Sequence, residues 1–302
     1  MRLHRLAFHA MGSPCELHVY AEDGDAEAIL AAGQAEVLRL EAKYSRYRDD
    51  SLATRINQSA GDPGGVVVDA ETAQLLDYAD ACFRQSDGLF DISSGILRRA
   101  WNLRAGRLPE QAEIDALLPL VGWRQLRWQA PRIVLPHAGM QLDFGGYVKE
   151  YAADRVAALC RSRGVQHGLV DLGGDLAVIG PRPGGTPWRV GIRHPRDPAR
   201  ALGTLPLGWG GIASSGDYER CIVVDGVRYG HILDPRTGWP VRGLAAVSVA
   251  ASHCLVAGTL TTIAMLKGEQ GAAWLDSLGA PCVYVTEVGR LGGSLLAQPI
   301  AA

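Results

Sequence analysis

The chain has 302 residues, 37 of them glycine, with 47% hydrophobic and 21% charged residues and a formal net charge of −2. Such a length and apolar content supply a sizeable core and exclude wholesale disorder, and the glycines lack the every-third period of collagen. The near-balanced charge, without a long run of either sign, speaks against nucleic acid or an anionic membrane as a partner.

In chain order, alternation over residues 3–21 predicts a strand, and 3.6-residue spacing predicts a helix over 25–44. A polar connection with a turn at Asp62-Pro63-Gly64-Gly65 follows, then a helix over 71–86, a loop over 101–109 and a short helix over 110–118. Strands are expected at 132–135 and 140–144, and a helix at 147–163. The remainder is strand-rich, at 168–172, 175–179, 188–192, 203–214, 218–224, 245–251 and 282–286, with helices at 255–266 and 270–278. Helices and strands mix without strict alternation, which favours α+β over a doubly wound sheet. No linker or low-complexity tract divides the chain, so one domain over residues 1–302 is expected, or two interleaved lobes around a cleft.

The first twenty residues carry Arg2, His4, Arg5, His9 and Glu16 and lack the apolar run of a leader, so the expected location is cytoplasmic. No stretch is apolar over the ~18 residues a membrane span needs. The cysteines at 15, 82, 160, 221, 254 and 282 are widely spaced and read as reduced core thiols.

Two segments echo one another: Gln141-Leu142-Asp143-Phe144-Gly145-Gly146 and Leu169-Val170-Asp171-Leu172-Gly173-Gly174. The echo is either coincidence in a glycine-rich chain or a pair of turns that let main chain approach a ligand. The first opens a helix with Lys149 in its first turn, a setting for an anion or for a plain strand-to-helix turn; it matches neither the dinucleotide fingerprint nor the Walker loop. Ser214 to Arg220 crowds hydroxyls and charges but is no nucleophile elbow. His231, three residues before Asp234, offers an imidazole beside a carboxylate, as a base or as a structural histidine. Tyr47, between Arg46 and Arg48, offers a platform for a flat ring or lies at an exposed helix end.

Together and in order, these segments resemble the ApbE family of flavin transferases. The carriers are Ala10-Met11-Gly12-Ser13, YSRYRDDSLATRIN at 44–57, SDGLFDISSGIL at 86–97, LDFGGYVKEYAAD at 142–154, GLVDLGGDLAVIG at 168–180, SSGDYER at 214–220 and HILDPRTGWPV at 231–241. The resemblance spans residues 8–290. It implies a T-fold-like α+β architecture, mixed or antiparallel sheets with flanking helices, and an FAD cleft with magnesium at the pyrophosphate. The implied reaction splits FAD, releases AMP and attaches FMN to a threonine or serine of an acceptor protein. A flavin-binding protein without transfer, and an FAD pyrophosphatase, are the alternatives.

Residue by residue, the resemblance implies that Met11 packs on the flavin edge and Tyr47 stacks near the isoalloxazine. Leu89, Phe90 and Asp91 would line the cofactor, Asp143 would bind its adenine or ribose side, Lys149 would lie by the same cofactor, and Ile232 would touch the flavin half. His231 would take the acceptor proton, and the Gly146 carbonyl and Thr262 hydroxyl would hold the metal. The family's acidic metal ligand on this later helix is replaced by Gly258, and its optional second by Thr261, which implies a weak or altered magnesium site. Restoring the acid with Gly258→Asp is then expected to strengthen it. Glu150, in place of the usual glycine after Lys149, would either repel a phosphate or supply the missing ligand.

Overall fold

The computed structural model describes residues 1–101, 106–218 and 220–296. Strands β1 (Arg2–Ala10) and β2 (Ser13–Ala21) pair from Arg2↔Ala21 to Ala10↔Ser13. The single strand expected over 3–21 is therefore a hairpin. Its two-residue turn is Met11-Gly12, with φ of 51° and 70°. Both values are positive, as the tightest hairpins require, and methionine is an uncommon occupant of that region.

The main sheet continues through β3 (Gly168–Leu172), β4 (Asp175–Gly180), β5 (Gly211–Gly216), β6 (Leu244–Ala251), β7 (Cys282–Thr286) and β8 (Leu291–Gly292). The eight strands lie side by side in chain order, each pairing antiparallel. The helices are α1 (Asp23–Tyr44), α2 (Leu52–Gln58), α3 (Ala70–Gln85), α4 (Gln111–Asp115), α5 (Val148–Ser162), α6 (Cys254–Leu266) and α7 (Gly271–Ser277). Helix α5 packs on β3, β4 and α1, and α6 packs on β5, β6 and α5. The largest core cluster joins these faces through Leu17, Leu40, Val156, Val170 and Ala257. This is the expected α+β class, built on antiparallel sheets with flanking helices.

Some local expectations change. The polar connection after α1 contains α2, started by Ser51, whose hydroxyl accepts from Thr54 N at 2.9 Å. Residues 140–144 form no strand. The Asn57 amide takes the place of a neighbouring strand there, accepting from Leu142 N at 2.7 Å and donating to Leu142 O at 3.1 Å. The strand expected over 203–214 is two, Ala201–Leu207 and Gly211–Gly216, broken by glycines that include Gly210 at φ 71°. The loop expected over 101–109 falls partly, at 102–105, outside the described residues. All six cysteines are free thiols and all but Cys221 are buried.

Candidate active site

The two echoed segments prove to be aspartate-capped turns of different shape. Asp143 accepts from Gly145 N at 2.8 Å and starts the 3-10 turn Phe144–Gly146 that leads into α5. Asp171 accepts from Gly174 N at 2.8 Å across the β3–β4 hairpin, where Gly173 and Gly174 have φ of 67° and 90°. Gly145 and Gly146 are exposed, and no side chain lies over Gly146. Its backbone is therefore open to a ligand.

Asp143 turns its other carboxylate oxygen to Arg46 (3.2 Å) and Arg98 (3.8 Å). Arg46 also donates to the Gly95 carbonyl at 2.9 Å. Beside them opens a cavity of about 300 Å³ lined by Arg46, Tyr47, Asn57, Arg98, Arg99 and Gln141. Tyr47 is 81% exposed, with the Arg46 guanidinium 5.0 Å from its ring centre. An exposed ring at the mouth of a cationic cavity suits a flat, anionic ligand.

Behind the Gly146 turn lies a buried polar cluster. Lys149 pairs with Asp175 at 2.6 Å. Burial would pull the ammonium down, but the Asp175 and Glu150 charges outweigh it and hold the group firmly protonated. Glu150 is 9% exposed, and its Oε2 is buried without a hydrogen-bond partner. Burial first, and then the neighbouring Asp175 charge, push its carboxyl above the ordinary range. Opposite, on α6, Thr261 donates to Gly258 O at 2.8 Å, and the Ser215 hydroxyl lies 2.9 Å from Thr261 Oγ1 and 3.4 Å from Thr262 Oγ1. Asp175 escaped the sequence reading although it directly follows the second glycine pair; Arg98 carried no motif signal at all.

The His231 loop corrects one expectation. The Asp234 carboxylate does not orient the imidazole. It is spent on Arg236, at 3.0 Å to Nε, 2.7 Å to Nη2 and 2.8 Å to the backbone amide. The Asp234 carbonyl also closes the turn through Gly238 N at 2.8 Å. His231 is instead surrounded by cations. Burial first, then Arg98 and Arg220, push it down to about 4, and Lys149 adds to the effect. Its Nδ1 has no hydrogen-bond partner. The group is thus a largely buried imidazole that three positive charges keep neutral.

Met11 forms the β1–β2 hairpin tip, its amide donating to Glu41 Oε1 at 2.5 Å. The adjoining Ser13 lies over Gly173, next to Lys149 Nζ, which brings the tip to the cluster. Leu89 and Phe90 are core residues, Phe90 against Tyr147. Asp91 is buried, one oxygen accepting from Ser93 N (2.8 Å) and Ser93 Oγ (2.6 Å) and the other from Trp123 N (2.8 Å). Ile232 is half-buried, its carbonyl accepting from Val241 N at 3.0 Å. Within 214–220, Asp217 is held by Arg196, and Glu219 lies outside the described residues.

The sequence matches the ApbE family over residues 11–284. The chain belongs to the ApbE family. The FAD:protein FMN transferase of Klebsiella pneumoniae is 33% identical over 272 residues, 88% of this chain and 83% of its own length. That of Treponema pallidum is 32% identical over 284 residues, 86% and 77% respectively. Among solved structures, the ApbE protein from Thermotoga maritima is similar at a TM-score of 0.90 and 31% identity, over 98% of both chains. Flavin transferase ApbE from Vibrio cholerae is similar at 0.85 and 25%, over 97% of this chain and 98% of that one. The shared α+β scaffold extends across the ApbE members, and the cavity, the Gly146 turn and the His231 loop all lie within the matched span. No helix of the described residues is long and apolar enough to cross a membrane.

Proposed function

We propose that this chain transfers FMN from FAD to a threonine or serine hydroxyl of an acceptor protein and releases AMP. The observation that carries the reading is the buried, unpartnered Nδ1 of His231, with Arg98, Arg220 and Lys149 disfavouring the protonated imidazole. The cations attract a diphosphate, and the imidazole beside them stays free to accept a proton. Membership of a family whose relatives bear this activity in their names supports the same reading.

In the reaction, the acceptor hydroxyl oxygen forms a bond to the phosphorus on the FMN side of the pyrophosphate. The bond from that phosphorus to the bridging oxygen breaks, and AMP leaves with the electron pair. His231 takes the hydroxyl proton. Arg98, Arg220 and Lys149 offset charge on the phosphate oxygens, while Tyr47 and Arg46 offer a face to a ring. Such displacements depend on positioning and charge neutralisation more than on covalent help from the protein.

Among the described residues, no cage of three or more His, Cys, Asp or Glu side chains stands ready for a metal. Hard neutral oxygens are present, however: the open Gly146 backbone and the Thr262 hydroxyl next to Ser215. With the orphaned Glu150 oxygen nearby, this donor set fits magnesium, which is commonly held by one or two carboxylates plus substrate phosphates. When bound, magnesium would act as a Lewis acid on the diphosphate.

The test is incubation with FAD, magnesium and an acceptor domain, read by in-gel flavin fluorescence. A covalently fluorescent acceptor is expected. Free FMN and AMP without labelling would instead identify a pyrophosphatase, and tight FAD binding without turnover a flavin carrier.

A further inference from the structure

Gly258 sits in the interior of α6, where glycine costs ~1 kcal/mol relative to alanine. The structure shows what fills its place. A Cβ on residue 258 would stand 2.6 Å from Glu150 Cγ, 2.8 Å from Oε1 and 2.9 Å from Cδ. The Glu150 side chain, leaning across from the first turn of α5, occupies the volume that a side chain at 258 would need. Its carboxylate therefore lies over α6 one turn before Thr262, on the face shared by positions i and i+4. One of its oxygens is buried without a partner.

We infer that Glu150 supplies, from the facing helix, the carboxylate of a divalent-cation site whose other protein oxygens are the Thr262 hydroxyl and the Gly146 carbonyl. The inference rests on the proposed magnesium requirement and deepens it. The glycine and the glutamate form one device: position 258 is emptied so that an acid rooted on α5 can enter. An unpaired buried carboxylate oxygen is costly; a hard cation held there would remove that cost. Lys149 makes its ion pair with Asp175 at 2.6 Å and leaves that Glu150 oxygen without a hydrogen bond. The expectation that Gly258→Asp alone strengthens the site is thereby reversed, because the new carboxylate would collide with the one already there.

A competing role for Glu150 is to share a proton with Asp175 as a structural hydrogen bond. Glu150→Gln separates the two, since the amide keeps a donor and the shape but loses the anion. Binding of Mn2+ to the FAD-loaded protein, followed by electron paramagnetic resonance of free Mn2+, reads the site without turnover. Glu150→Gln is expected to weaken Mn2+ at least tenfold while metal-free FAD binding and the melting temperature hold. Gly258→Asp alone is expected not to tighten it. The double variant Glu150→Gly/Gly258→Asp, which puts the acid on α6 with room around it, is expected to recover binding to within about threefold of the parent. Should Glu150→Gln not fold, the double variant still decides.

Unchanged Mn2+ affinity in Glu150→Gln, tighter binding in Gly258→Asp alone, failure of the double variant to bind, or a parent that binds no Mn2+ would each overturn the inference. Flavin transfer is scored separately. Labelling with Mn2+ affinity insensitive to Glu150 rejects this site and keeps the transferase. Glu150-dependent Mn2+ binding without labelling does the reverse.

Discussion

Asp154, on α5, caps the neighbouring helix α6 at Cys254: its Oδ1 accepts from Cys254 N and its Oδ2 from Leu255 N, both at 2.9 Å. The residue at the usual cap position, His253, makes no side-chain cap, so α6 takes its N-terminal acceptor from another helix. The carboxylate also meets the positive end of the helix dipole. This fixes α5 against α6, and with it the distance between Glu150 and Gly258.

Removing that cap should therefore loosen both helices. Asp154→Ala is expected to cost about 0.5–2 kcal/mol in urea denaturation, the range for a lost N-cap, and Asp154→Asn less. Unchanged stability in the alanine variant would mean that solvent caps α6 equally well.

As the proposed base, His231 would set the acid side of catalysis. With its conjugate acid near pH 4 rather than at the ordinary value, the imidazole is already unprotonated at pH 5. Activity as kcat/KM should stay flat from neutrality down to about pH 5 and fall only below that. His231→Gln should lower kcat by on the order of 10²–10⁴-fold if the group is the base. An acid limb centred near 6.5 would show that the free enzyme's imidazole is not depressed.

A second titration concerns stability. Glu71 accepts from Arg39 at 2.7 Å and from Lys43 at 2.7 Å, which, with the Arg39 bond foremost, holds it down to about 2 against an ordinary 4.5. A depressed carboxylate stabilises the fold above its unfolded value and loses that contribution as pH falls from about 4.5 to 2. Glu71→Gln should flatten melting temperature over this window. Because the network is half open to solvent, the neutral-pH loss should be about 1 kcal/mol or less. A parent and variant whose acid profiles run parallel would contradict the assignment.

Gly95 lies against the Asp143 side chain with no room for a methyl group. Gly95→Ala should push Asp143 from Arg46 and cost about 1–3 kcal/mol by overpacking. It should also raise the KM for FAD, since the cavity wall moves with Arg46. A variant with parental stability and KM would show that the contact yields freely.

The sequence pattern located α5, β3 and β7 closely because each presents an uninterrupted period bounded by glycine or proline. It failed where one residue works against type. Met11 takes a left-handed turn, so two strands looked like one. Asn57 satisfies the backbone of residue 142, so an apolar stretch looked like a strand. In the site, spacing along the chain singled out the Gly146 turn and the His231 loop but left open whether Asp234 serves the imidazole; its partner is Arg236. The fit of Glu150 over Gly258 joins two helices far apart in sequence, and no local pattern carries it.

The chain-ordered sheet has a consequence for how the molecule assembles. From β3 onward, each strand joins one that has just preceded it or lies a single excursion away, so this half can zip locally. The β2–β3 seam differs, because residues 22–167 intervene between its partners. Closing so large a loop is an entropic bottleneck that near-neighbour pairings avoid. Pulse-labelled hydrogen exchange during refolding should find the amides of β3–β6 protected before those of β2, with the amino-terminal hairpin docking last. Ser13, beside its tip, lies over Gly173 next to Lys149, so catalytic competence should arrive with that final docking step, later than most of the secondary structure.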